Sequence, residues 1–121
     1  MTLIYVKKQA EATMETDVNR LMLEYERLLK ETNRQYINPQ IRELAIEELR
    51  PVAEMVARAR AEYLRHLFEL SEKYHEQDSL PCEEEMEQLA KLRSRFLDLV
   101  DGSQSFETAI QRGYLDLKSS A

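Results

Sequence analysis

The chain has 121 residues, a formal net charge of −6 and a single cysteine, and a third of its residues are charged. This length fits one domain over residues 1–121, which can bury a core without disulfides or a structural metal. The acidic charge disfavours a nucleic-acid-binding surface, which needs a concentrated basic footprint. Because Cys82 has no second cysteine to pair with, we expect a reducing, cytoplasmic location.

Composition and hydrophobic spacing together predict an all-α protein. Glycine and proline are scarce, with two and three residues, and no apolar run is long enough to span a membrane or to form a signal peptide. We expect a three- to four-helix bundle, antiparallel and up-down, with a long kinked second helix. The expected helices cover residues 10–35, 39–77, 81–100 and 105–117. Residues 1–9 form a helix extension, a free arm or a short strand.

The first predicted helix carries a broad apolar stripe. Its members recur at intervals of four and three residues, which places them on one helix face. The stripe consists of Met14, Val18, Leu21, Tyr25, Leu28 and Thr32, widened by Met22, Leu29 and Tyr36. A stripe of this width favours a globular bundle over a strict two-stranded coiled coil.

The second predicted helix begins at Asn38-Pro39, where Asn38 can cap and Pro39 can take the first helical position. The short link predicts that the first two helices lie side by side in opposite directions. Pro51 falls inside this helix on the side away from its apolar stripe, so we expect a kink. The alternative is that the chain breaks at Pro51 and a new helix starts there.

The third predicted helix follows a loop, with Asp78 or Ser79 as its cap and four glutamates near its positive end. Asp101-Gly102 is expected to end this helix, with Gly102 as its left-handed cap. A short fourth helix over residues 105–117 follows, and Gly113 lies inside it.

Glutamate and histidine cluster on the second helix, in a spacing that resembles the ligand pairs of dinuclear bundle sites. The candidate ligands are Glu62, His66, Glu69, Glu72 and His75. Glu72 and His75 lie on the polar face, however, and the other apolar stripes contain no matching carboxylates. We therefore expect no metal, no cofactor and no catalytic residues, and keep a metal- or small-molecule-binding bundle as the alternative function.

The second helix also carries apolar side chains outside its main stripe, more than one neighbouring helix would cover. We expect them to contact a subunit or a protein partner, and the residues predicted to do so are Leu44, Met55, Leu64 and Phe68. The leading hypothesis is a non-enzymatic interaction module, such as an adaptor, a chaperone-like protein or a regulator. It would act as a homodimer through its first two helices and bind helices in a groove, with no role for nucleic acid or membrane.

Overall fold

A computed structural model describes residues 2–119 of the chain, and helices dominate its architecture. The elements in chain order are α1 (Thr2–Ile37), β1 (Leu44–Ala45), a turn of 3₁₀-helix (Ile46–Leu49), α2 (Arg50–Lys73), α3 (Glu83–Gln111) and β2 (Leu117–Lys118). This order confirms the predicted all-α class, and the two strands are only two residues long.

Helix α1 is longer than predicted and projects from the rest of the molecule. It begins at Thr2, so among the alternatives for residues 1–9 the described residues form a helix extension. Every residue from 2 to 28 is exposed, and 36 residues of α-helix span about 54 Å. The short link between the first two predicted helices predicted that they lie side by side. Helix α1, however, does not lie along α2 over its length.

Helices α2 and α3 pack against each other and form the body of the protein. The rings of Tyr63 and Phe96 stack with centroids 6.1 Å apart, and Lys73 Nζ lies 2.9 Å from a carboxylate oxygen of Glu85. The later residue of α2, Lys73, meets the earlier residue of α3, Glu85, and the earlier residue Tyr63 meets the later residue Phe96. The two helices therefore run in opposite directions along this contact.

The core of this body is small. Within residues 2–119, the buried hydrophobic residues are Val56, Ala59, Leu70 and Leu115. Three of them repeat along one face of α2, and the fourth follows the end of α3. Many larger apolar side chains remain exposed, so most of the apolar surface of this chain is not used in its own core.

The predicted long, kinked second helix is wrong, and so is its cap at Asn38. The chain forms a turn after Ile37, passes through β1 and starts α2 at Arg50, which places Pro51 in the first turn of the helix. The missing N–H of proline costs nothing in that position, whereas inside a helix the ring would displace a carbonyl and remove a hydrogen bond. The alternative of a fresh start at Pro51 is therefore correct.

The predicted third and fourth helices are one continuous helix. Helix α3 passes through Gly102 without a left-handed residue, so the predicted cap there is wrong. The left-handed residue is Gly113, with φ of 76°, and it follows the helix end. Gly113 N–H donates to Ile110 O at 3.1 Å and Tyr114 N–H donates to Ala109 O at 2.7 Å, which is the Schellman pattern of helix termination.

Beyond this turn, the C-terminal segment folds back onto the start of the body. Strand β2 pairs in parallel with β1, and Leu44 lies beside Leu117. Leu44 N–H also donates to Asp116 O at 3.1 Å. This pairing holds the segment in place and buries Leu115 between the ends of the helices.

Candidate interaction surface

The central positions of the α1 stripe face away from the body, whereas Leu29 on its flank meets the body and Tyr25 borders the groove between them. The half-buried residues of α1 are Leu29, Asn33, Arg34 and Ile37, and they mark the side that meets the body. With 100° between successive residues, the centre of the stripe that contains Leu21 lies roughly 125° from the centre of that side. The side chain of Leu21 is accordingly 58% exposed. Contacts within one chain therefore leave this stripe uncovered.

An arginine fork fixes the end of α1 to the C-terminal segment. The two guanidinium nitrogens of Arg34 donate to the two carboxylate oxygens of Asp116 at 2.8 and 2.7 Å, and one of them also donates to Gly113 O. The hydrogen bonds from Arg34 lower the pKa of Asp116. Gly113 also allows a close approach, because a Cβ atom there would lie 2.9 Å from the side chain of Lys30.

A groove of about 670 Å³ lies where α1 leaves the body near the end of α3. Met22, Leu29 and Tyr114 contribute apolar lining. The lining also contains three cations, Arg27, Lys30 and Arg112. Within residues 2–119 none of the three takes part in a salt bridge. Because Glu26 is the only carboxylate among the lining residues, an acidic chain carries a groove with a net positive charge.

The four residues predicted to bind a partner do not share one face. Leu64 and Phe68 lie one turn apart on α2, are 51% and 61% exposed, and point away from the contact with α3. Met55 is exposed on another side of α2. Leu44 is half-buried in β1 and paired with Leu117.

The glutamate and histidine residues of the alternative function do not converge. Glu62 pairs with Arg95 and Glu69 with Arg65. His66 is half-buried, and its Nε2 atom has no hydrogen-bond partner among the described residues. Residues 2–119 contain no group of three or more histidine, cysteine, aspartate or glutamate side chains that could hold a metal ion.

A cluster around Glu85 joins the two ends of the α2–α3 loop. Tyr74 Oη donates to one oxygen of Glu85, Lys73 Nζ donates to the other, and Cys82 N–H donates at 3.0 Å as the helix cap. The cap is therefore Cys82, not the predicted Asp78 or Ser79. Hydrogen bonds from Tyr74, Lys73 and Cys82, in that order, lower the pKa of Glu85 from 4.5 to about 2.

This shift predicts acid sensitivity at one end of the body. Because the folded pKa of Glu85 is the lower one, its contribution to stability is complete above pH 4.5 and disappears as the pH falls towards 2. We expect Glu85→Gln to lower the melting temperature at pH 6 and to match the wild type near pH 2. Thermal unfolding at several pH values measures the difference. Glu84→Gln, an exposed neighbour, serves as the control, and an equal loss in both variants would contradict the assignment.

Comparisons with known proteins give no family for this chain. The sequence matches no family model, and no curated protein or solved structure is significantly similar to it. Among the helices of residues 2–119, none combines the length and the apolar character that crossing a membrane requires. The surfaces described above therefore carry the functional argument.

Proposed function

We propose that this protein is a non-enzymatic helical interaction module that acts through self-association. The observation that carries this proposal is its surface area. The chain exposes 10186 Å² at a mass of 14.3 kDa, whereas a folded monomer of that mass exposes about 6,800 Å². The excess is about 3,400 Å², and an obligate interface takes roughly 1,000–2,500 Å² from each partner.

The excess is concentrated on α1. Its residues 2–28 are exposed throughout and include large apolar side chains from Leu3 to Leu28. Most of the stability of a helix in a protein comes from tertiary packing of its amphipathic face rather than from the intrinsic propensity of its residues. The α1 stripe therefore needs a covering surface, and a second copy of the chain is our proposed source. In this arrangement the predicted antiparallel bundle is completed between chains rather than within one.

Sedimentation equilibrium of the untagged protein tests this proposal directly. We expect a mass of twice 14.3 kDa, with nothing else bound, at micromolar concentration. A monomer over the full concentration range, with α1 still helical by circular dichroism, would overturn the proposal. Native mass spectrometry of the same sample resolves small additions, and excess mass that matches a ligand or metal would instead favour the alternative of a metal- or small-molecule-binding bundle.

We further propose that Leu64 and Phe68 form a partner-binding face on α2, as an adaptor or chaperone-like role requires. This face is exposed and lies on the side of α2 away from its contact with α3. It offers two large apolar side chains one turn apart, the spacing with which a helix binds a groove. The cytoplasm is the proposed location, on the argument from the single cysteine.

The variant Leu64→Asp/Phe68→Asp separates partner binding from assembly. Because both side chains are more than half exposed, we expect each substitution to change the free energy of unfolding by less than about 0.5 kcal/mol. We also expect the dimer mass to be retained. If the variant dissociates or unfolds, as measured by sedimentation and urea titration, these residues belong to the dimer or the core and not to a partner-binding face.

A further inference from the structure

The two flanks of the α1 stripe differ in character. The residues that follow its central positions on one side are apolar from Met22 onward, namely Met22, Leu29 and Tyr36, and Glu15 precedes them on the same side. The residues on the opposite side are acidic: Asp17, Glu24 and Glu31. Helical spacing places these sets on either side of the stripe, the apolar set beside the groove and the acidic set in solvent.

This asymmetry distinguishes the two ways in which two α1 helices can pair. In a parallel pair the apolar flank of each helix meets the acidic flank of the other. Met22 would then face Asp17, and Leu29 would face Glu24. In an antiparallel pair like flanks meet, so Met22 faces Met22 of the second copy, Leu29 faces Glu15 of the second copy beside the cations of the groove, and both acidic flanks stay in solvent. Burial of the apolar flank stabilises the pair by more free energy than the screened repulsion between exposed glutamates costs.

We propose that two copies pair through α1 in antiparallel orientation, with the two-fold axis near Leu23. This inference rests on the proposed self-association and specifies its geometry. The register places Val18 opposite Leu28 of the second copy and Leu21 opposite Tyr25 of the second copy. All stripe positions from Met14 to Thr32 are then paired. Lys7 and Glu11 continue the stripe towards the start of α1, and in this register neither meets its own equivalent, as each would in a parallel pair.

The basic groove supports the same arrangement through charge complementarity. In this register Glu15 of the second copy lies opposite Leu29, which lines the groove together with Arg112 and Lys30. Arg112 forms no salt bridge within residues 2–119, and Lys30, whose charge also acts on Asp116, lies beside it in the groove. Each of the two grooves in the dimer thus receives one acidic residue, Glu15 of the other copy.

Single-cysteine crosslinking tests the orientation. Cys82→Ser provides a cysteine-free background, and a short bis-maleimide then joins introduced cysteines. We expect Met22→Cys and Glu24→Cys to crosslink to their own equivalents, because both lie next to the axis. Leu28→Cys should not, since its equivalent lies about 15 Å further along the helix. Efficient crosslinking of Leu28→Cys without Met22→Cys and Glu24→Cys would show a parallel pair and overturn the proposal.

The wild-type mass keeps this test separate from the proposed function. A dimer in which none of the three positions crosslinks would disprove the α1 pair and leave self-association intact, whereas a monomer would disprove both. Glu24 is exposed on the acidic flank, so Glu24→Cys remains informative if Met22→Cys weakens assembly.

A charge exchange tests the groove contact. We expect Glu15→Arg and Arg112→Glu each to raise the dimer dissociation constant by about tenfold, because each places like charges together. The double variant Glu15→Arg/Arg112→Glu should recover most of that loss. Glu87→Arg, at an exposed position near the start of α3 and outside the α1 pair, is the matched control. Absence of recovery, with the helix content unchanged, would remove Glu15 from the groove.

Discussion

Replacement of Leu21 by aspartate is expected to convert the dimer into a monomer. Leu21 lies at the centre of the α1 stripe and is 58% exposed in the single chain, so the change has little effect on a monomer. In the proposed dimer it buries two unpaired carboxylates, at a cost of about 3 kcal/mol for each copy. The dissociation constant should therefore rise roughly 10⁴-fold. Sedimentation equilibrium over a range of concentrations measures this shift.

The matched control for this variant is Leu23→Asp. Leu23 lies two residues further along the same helix and is 63% exposed. It lies about 160° around the helix from Leu21, outside the stripe and on the body side of the groove. We expect it to retain the dimer. If both variants dissociate, the aspartate acts on the helix or on the groove and not on the stripe alone. If neither dissociates, α1 is not the surface through which the chain associates.

Loss of the dimer should also reduce the helix content. Residues 2–28 are all exposed within the chain, and a helix with so few tertiary contacts is only partly formed in water. Circular dichroism at 222 nm should therefore fall for Leu21→Asp and remain unchanged for Leu23→Asp. A monomer with full helix content would show that α1 is stable without a covering surface.

The exposed stripe of α1 could be predicted from the sequence because it depends on spacing alone. The extent of α3 could also have been predicted. The spacing of Phe96, Leu99, Phe106 and Ile110 keeps apolar residues on one helix face on both sides of Gly102, with the small Ser103 in the position between Leu99 and Phe106. A glycine inside a helix costs only about 1 kcal/mol, which the packing of this uninterrupted face offsets. The periodicity was a stronger signal than the glycine.

The start of α2 was harder to predict, because either of two prolines could occupy the first turn of the helix. Pro39 and Pro51 each fit the first turn of a helix. The structure uses Pro51, and residues 38–49 instead form the turn, β1 and the 3₁₀ turn. This choice depends on the pairing of β1 with β2, 73 residues further along the chain at Leu44 and Leu117. Local propensity contains no information about such a distant contact.

Some features of the candidate interaction surface could likewise be predicted from the sequence, and others could not. The exposure of Leu64 and Phe68 follows from their position outside the α2 stripe, and it could be predicted. The half-buried position of Leu44 follows from the strand pair, and the groove beside Arg112 exists only where α1 meets the end of α3. Helical periodicity thus identifies which faces are apolar, but tertiary contacts decide which of those faces stay uncovered.

Leu115→Ala is expected to destabilise the body without changing its assembly. Leu115 is 2% exposed, the lowest value among the buried hydrophobic residues, and it follows the Schellman turn at Gly113. Truncation of a buried leucine removes its transfer free energy and leaves a cavity, which together cost about 3 kcal/mol. Urea unfolding at a fixed protein concentration measures this loss, because unfolding of a dimer depends on concentration.

Leu80→Ala provides the matched control, since Leu80 is 86% exposed and its truncation should change stability by less than about 0.5 kcal/mol. In the absence of urea, the Leu115→Ala variant should sediment as a dimer like the wild type, because Leu115 lies in the body and not on the α1 stripe. The two leucine variants thus act on separate parts of the molecule: Leu21→Asp on association and Leu115→Ala on the body. Equal stabilities of Leu115→Ala and Leu80→Ala would mean that the C-terminal segment does not pack onto the helices in solution.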